Sequence, residues 1–122
     1  MAVTHGAATR NAIADAVLAE IDAGAGAGNL VFRTAGAVEV ATLALSNPAG
    51  VVSGAVLTFS SITDDSSATG GTTTNATIED DAAATVLACS VGTTGEDINL
   101  SSVVIGAGDT VSVSSLTYTA PV

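Results

Sequence analysis

Lysine is absent from this chain, and arginine occurs only at Arg10 and Arg33. Against twelve carboxylates these two cations leave a formal charge of -10. Phosphate backbones are held by cationic side chains, so nucleic acid is excluded as a partner, and an anionic membrane surface is excluded for the same reason. Tryptophan is absent too, and Phe32, Phe59 and Tyr118 are the only aromatic residues. A single cysteine, Cys89, excludes a disulfide within the chain. No apolar run approaches the roughly 20 residues of a membrane span. The positive mean hydropathy comes instead from Ala and Val scattered among Ser, Thr and Gly. The start lacks the basic, long apolar pattern of a signal peptide.

What is present fits one domain of 122 residues with a core of Val, Leu, Ile and Ala. A buried Val or Leu contributes roughly 1.5–3 kcal/mol, against about 1–2 kcal/mol of backbone entropy per ordered residue. With so few large side chains that balance is close, which favours a chain that buries further surface in a homo-oligomer or assembly.

Residues 1–8 read as a tail. Residues 9–23 read as a helix, with Thr9 as its N-cap and Gly24 as its stop. Ile13, Val17 and Ile21 recur every four residues and Leu18 fills the same stripe. These four side chains must be buried, against the chain's own β body or a neighbouring subunit, and are the candidate subunit or capsid contact. Residues 24–28, Gly-Ala-Gly-Ala-Gly, read as a flexible linker. They follow a helix, whereas a nucleotide-binding glycine loop joins a strand to one.

Residues 29–122 read as a β domain. Leu30 and Phe32 alternate in a first strand, Ala41, Leu43 and Leu45 in a second, and Ala55, Leu57 and Phe59 in a third. The segment from Thr63 to Thr74 is polar and reads as a long exposed loop or hairpin tip. Ala76 to Glu79 and Thr85 to Val91 are further strands, the latter with Leu87, Cys89 and Val91 on one face. From Asp97 to Thr119 the pattern is two strands folded back on each other through Gly106-Ala107-Gly108. Apolar parity changes at Ser114-Ser115, which requires a bulge or bend. Short strands punctuated by glycine turns predict an all-β antiparallel sandwich or jelly-roll-like domain, preceded by one amphipathic helix.

Candidate chemistry is thin. His5, the only histidine, falls in the tail, where nothing holds it as a catalytic base is held. Cys89 has the phase of a core residue. Asp64-Asp65 and Glu79-Asp80-Asp81 have the oxygen ligands calcium takes, without the spacing of a calcium loop. Asn75-Ala76-Thr77 fits a glycosylation sequon. No nucleophile and base are paired by spacing. No catalytic, cofactor-binding or metal residue is therefore assigned, and no cofactor or small-molecule substrate is expected.

Four stretches carry a family resemblance: Arg10-Asn-Ala-Ile-Ala-Asp-Ala-Val, Ile21-Asp-Ala-Gly-Ala-Gly, Val40-Ala-Thr-Leu-Ala-Leu-Ser-Asn-Pro-Ala, and Ile105-Gly-Ala-Gly-Asp-Thr-Val-Ser-Val-Ser-Ser-Leu-Thr-Tyr-Thr-Ala-Pro. Together they resemble small structural proteins of tailed bacteriophages. The resemblance implies a virion structural protein, most simply a capsid decoration or cement protein. Such a protein is made in the bacterial cytoplasm and placed on the outer shell, where it contacts itself and the major capsid protein. It implies no enzyme, and no family site residues can be carried over. A neck, tail or fibre component is the alternative. A calcium-dependent carbohydrate-binding β-sandwich, using the acidic loops, is another.

Overall fold

A computed structural model describes residues 3–121. Residues 1 and 2 of the expected tail and residue 122 of the β domain lie outside them. The described chain is mostly β, with one N-terminal helix and a curled mixed sheet. No helix among the described residues is long and apolar enough to cross a membrane.

Helix α1 spans Ala7–Ile21, so it starts before the expected N-cap. Ala7 and Ala8 are strong helix formers, and the Gly6 carbonyl already accepts from the Arg10 amide at 2.9 Å. Thr9 thus lies inside the first turn, and Gly6 caps it without a side-chain bond. Asp22 ends the helix, where a carboxylate opposes the dipole. It has another use there: its Oδ1 accepts from the Ala49 amide at 3.0 Å and fixes the turn at residues 46–50.

Ten strands follow among the described residues. Strands β1 (Asn29–Arg33), β2 (Glu39–Ala44), β6 (Asn75–Glu79), β7 (Thr85–Gly92) and β8 (Ile98–Asn99) form a five-stranded sheet in the order β2-β1-β6-β7-β8. Strands β3 (Gly50–Ser53), β4 (Val56–Phe59) and β10 (Thr117–Thr119) form a second sheet in the order β10-β4-β3. Strands β5 (Gly71–Thr72) and β9 (Val104–Ile105) pair separately.

One buried cluster draws on both larger sheets and on the helix. Leu30, Phe32, Leu43 and Ile78 come from one sheet, Leu57 and Phe59 from the other, and Ile21 from α1. The side chains read as the apolar faces of β1, β2 and β4 are buried, and Val31 in β1 and Val40 in β2 are buried as well. A smaller cluster of Ala14, Ala55 and Ala120 lets the first half of the helix approach the β3–β4 turn and the end of β10.

Four expectations are corrected. Strand β3 had no sequence signal, and Ala55 belongs to its turn instead of to a strand. Ser53 pairs with Val56, leaving Gly54 and Ala55 as a two-residue hairpin loop, both at positive φ (59° and 67°). A left-handed alanine costs about 1–2 kcal/mol. Its surroundings offset that: the Ala55 amide donates to Asn11 Oδ1, and its carbonyl accepts from the Ala120 amide.

The polar stretch 63–74 is exposed over most of its length, but it is tied to β2 and carries strand β5. The amides of Thr63 and Gly70 donate to the carbonyls of Ala44 and Val40, and Asp65 Oδ2 accepts from the Thr42 amide. The segment therefore covers the outer edge of β2, an edge that would otherwise be open to other chains. Ala68 and Thr73 are buried in consequence.

The sheet is not wholly antiparallel. Strands β7 and β8 pair in parallel over two residue pairs, Val91 with Ile98 and Gly92 with Asn99. The tight loop between them is held by Asp97, whose Oδ2 accepts from the Ser90 amide while its own amide donates to Ser90 Oγ.

Finally, the expected hairpin from Asp97 to Thr119 does not form. Strand β9 pairs with β5, Val111 bridges to Asp65, and β10 pairs with β4. Gly106 to Asp109 does turn, with the Gly106 amide donating to Asp109 Oδ2 at 2.8 Å. The chain bends at Ser114, where the parity change required it.

Candidate functional site

The four residues singled out on the helix lie against the chain's own β body. Ile21 is fully buried in the main core, and Val17 and Leu18 pack half-buried against that core. Ile13 packs against the alanine cluster. This is the first of the two arrangements that the sequence left open. The helix is also clamped at its start: Arg10 Nε donates to the Pro121 carbonyl at 3.1 Å, and Nη2 to the Ala120 carbonyl at 3.0 Å.

Arg33 is used internally as well. Its Nη2 lies 2.8 Å from Glu79 Oε2, in an ion pair whose carboxylate side chain is only 7% exposed. Thr77 Oγ1 donates to the same carboxylate oxygen at 2.8 Å and accepts from Arg33 Nε at 3.3 Å. The sequence held no signal for this triad. Arg33 and Glu79 are far apart in the chain, and the antiparallel register of β1 with β6 places them on one face.

The acidic clusters are divided among separate structural tasks. Asp65 accepts from the amides of Thr42 and Ser67, and Asp80 from those of Ala82 and Ala84. Asp81 accepts from the Gly26 amide at 2.9 Å. A carboxylate satisfied by backbone amides in this way pins a turn or a loop junction. Among the described residues no three His, Cys, Asp or Glu side chains come together as metal ligands would.

The Asp81 contact also changes the meaning of the glycine stretch. Gly26 is bonded on both sides, since its carbonyl accepts from Asn47 Nδ2 at 3.1 Å. The segment is a fixed junction, and the carboxylate bonded to it would repel a phosphate. In the sequon, Asn75 Nδ2 donates to the Thr34 carbonyl and to Thr74 Oγ1.

His5 is exposed at the start of the described chain. Cys89 lies half-buried in a cleft of about 330 Å³ that also contains Asp97, Leu87, Ile98 and Tyr118. Here a thiol and a carboxylate share a cleft, and the pairing does not make a nucleophile. Burial pushes the Cys89 thiol above its ordinary value, and the Asp97 charge pushes it further in the same direction. Both effects disfavour the thiolate, which is the reactive form.

Iodoacetamide should therefore label Cys89 more slowly than a free thiol at pH 8. Unfolding in urea should restore the ordinary rate, and Asp97→Asn should raise the folded rate. Labelling at the free-thiol rate in the folded protein would contradict this account. The linked effect on stability follows from the raised folded-state value. The contribution is present below the ordinary thiol value and is lost as pH rises from there through the raised folded-state value, because the unfolded chain gives up its proton first.

No protein-family model, curated protein or solved structure matches the chain. The structure therefore presents clefts and sheet edges on an acidic body, with both guanidinium groups bonded within it.

Proposed function

We propose that this chain is a virion structural protein that decorates and cements a phage capsid, contacting neighbouring copies of itself and the major capsid protein on the outer shell. The observation that carries the reading is how the polar chemistry is used. Both arginines and most of the carboxylates hold the chain's own loops, strand edges and ends together, leaving an acidic body in which no three potential metal ligands gather among the described residues. That disposition suits a part that works by shape and contact, and it agrees with the resemblance of the helix, the β2 region and the C-terminal stretch to tailed-phage structural proteins. In this reading the two larger groups of strands are the layers of an open sandwich, and α1 closes one end of it. The acidic exterior keeps the protein from adhering to nucleic acid.

The experiment is copy number. Densitometry of purified particles carrying this protein should give hundreds of copies per particle, spread over the shell. About a dozen copies, as in a closed ring at the neck, would transfer the protein to the neck or tail. Absence from the particles would end the virion reading altogether. A docking mutant for such work cannot involve Ile21, whose replacement by a charged residue would unfold the core.

A further inference from the structure

The two larger sheets each end on a short strand, and residues of these two end strands line the same two hollows. Strand β8 is the last strand of the five-stranded sheet, and β10 is an edge of the three-stranded one. Between them runs a seam. On one side it opens as a hydroxyl-rich groove of about 400 Å³, between Asp97–Ser101 and Ser112–Thr117. On the other it is the apolar cleft of about 330 Å³ floored by Phe59, Ile78, Leu87, Ile98, Leu116 and Tyr118. The two hollows share Asp97, Ile98, Leu116 and Thr117, so they are two faces of one gap.

The lips of the gap have strand-like sequences that are paired only in part: Ile98 pairs with Val91, and Val111 bridges to Asp65. Ile98 and Leu100 alternate on one lip, and Val111 and Val113 on the other. Yet β8 is only two residues long, and among the described residues Ser112 to Ser115 make no backbone hydrogen bond to another segment. The opposite edge of the five-stranded sheet shows the contrast, since residues 63–70 of the chain itself cover β2 there.

We infer that the seam between β8 and β10 is a strand-addition site for an extended, cationic segment of a different protein. Inserted there, one strand would pair with β8 on one side and with the unpaired Ser112–Ser115 stretch leading into β10 on the other, and make the order β2-β1-β6-β7-β8, then the incoming strand, then β10-β4-β3. Main-chain bonds along both edges supply affinity, and alternate side chains supply selectivity. One set of side chains enters the apolar cleft. The other set faces the serine-lined groove beside Asp97. Charge selects the partner. The seam is lined by Asp97 and by no cation, and a second copy brings a formal charge of -10 with both arginines already bonded internally. Lys or Arg at the groove-facing positions of the incoming strand complements this. The seam takes such a segment whether the chain sits on a shell or elsewhere.

The test uses the full chain, isotopically labelled, and three end-blocked synthetic peptides: alternating Val/Lys, alternating Val/Glu, and Val/Lys with every second backbone nitrogen methylated. The expected result is that millimolar Val/Lys peptide slows amide exchange at Ser112 to Ser115 at least tenfold and slows Cys89 labelling, while the other two do neither. Three results overturn the inference: no protection at Ser112 to Ser115, equal protection by the Val/Glu peptide, or protection of the same amides without peptide in a chain that sedimentation shows to be self-associated. The last would assign the seam to a second copy.

Discussion

Replacing Arg33 with Met is expected to destabilise the fold by about 3 kcal/mol, read as a fall in the urea midpoint at unchanged slope. The cost arises from what remains. Glu79 is 5% exposed, and without the guanidinium its charge stays in the sheet with only the Thr77 hydroxyl bonded to it. Breaking a buried pair costs about 3–5 kcal/mol, and the low end applies because the Arg33 side chain is 25% exposed. Arg33→Lys should recover only part of the loss, since a single ammonium cannot reach Glu79, Thr77 and the Ala37 carbonyl together. Adding Glu79→Leu to Arg33→Met removes the stranded charge. The double variant should return to within about 1 kcal/mol of the parent. A single variant that unfolds at the parent's midpoint, or a double variant as unstable as the single, would refute the assignment.

Gly28→Ala has an expected sign opposite to the one the sequence implies. In a flexible linker the substitution stabilises by about 0.4–1 kcal/mol, because alanine restricts the unfolded chain. In the structure a Cβ at Gly28 would collide with the Glu79 carbonyl oxygen and stand 3.3 Å from Ile21 Cγ2. Neither neighbour yields easily. The first is strand backbone paired across β1 and β6, and the second is fully buried. The Gly28 carbonyl is itself fixed by the Leu45 amide at 2.9 Å. Overpacking at such a point costs about 1–3 kcal/mol, so the melting temperature should fall by roughly 5–15 °C. A rise in melting temperature would show that residues 24–28 are the loose connection that their composition suggests.

These two positions mark where sequence reasoning succeeded and where it stopped. Leu30, Phe32, Leu43, Leu57 and Phe59 announced their strands because alternation and burial coincide there. The turn at Asp80 was legible because an Asp before a short Ala run accepts local amides, and its Oδ1 does so twice. Strand β3 was not legible. Gly-Val-Val-Ser is too short to show a period, and its loop uses alanine where glycine or asparagine is the usual sign of a left-handed residue.

Residues 63–74 misled through their polarity. Their main-chain groups and the Asp65 carboxylate bond to β2, and such bonding leaves no hydrophobic trace. The C-terminal stretch had the right periodicity and the wrong partner: its segments pair with β5, Asp65 and β4 instead of with each other. Periodicity reports which face of a strand is apolar; it does not report which strand lies alongside. For the candidate helix residues, spacing indicated that Ile13, Val17, Leu18 and Ile21 are buried. Which surface receives them depends on contacts with β3, β4 and β7 that only the tertiary structure supplies.

The clamp between Arg10 and the carbonyls of Ala120 and Pro121 has a consequence for the order of events at the ribosome. The helix emerges first, yet its seat is completed by residues synthesised about 110 positions later. Until then the alanine cluster under Ile13 and Ala14 is incomplete, although the main core that receives Ile21, Val17 and Leu18 is already made. Synthesis at roughly 5–20 residues per second is far slower than chain closure, so the Arg10 clamp closes only after the β body has been made. A version of the chain cut before residue 120 would keep its sheets partly formed and lose the grip on its own beginning.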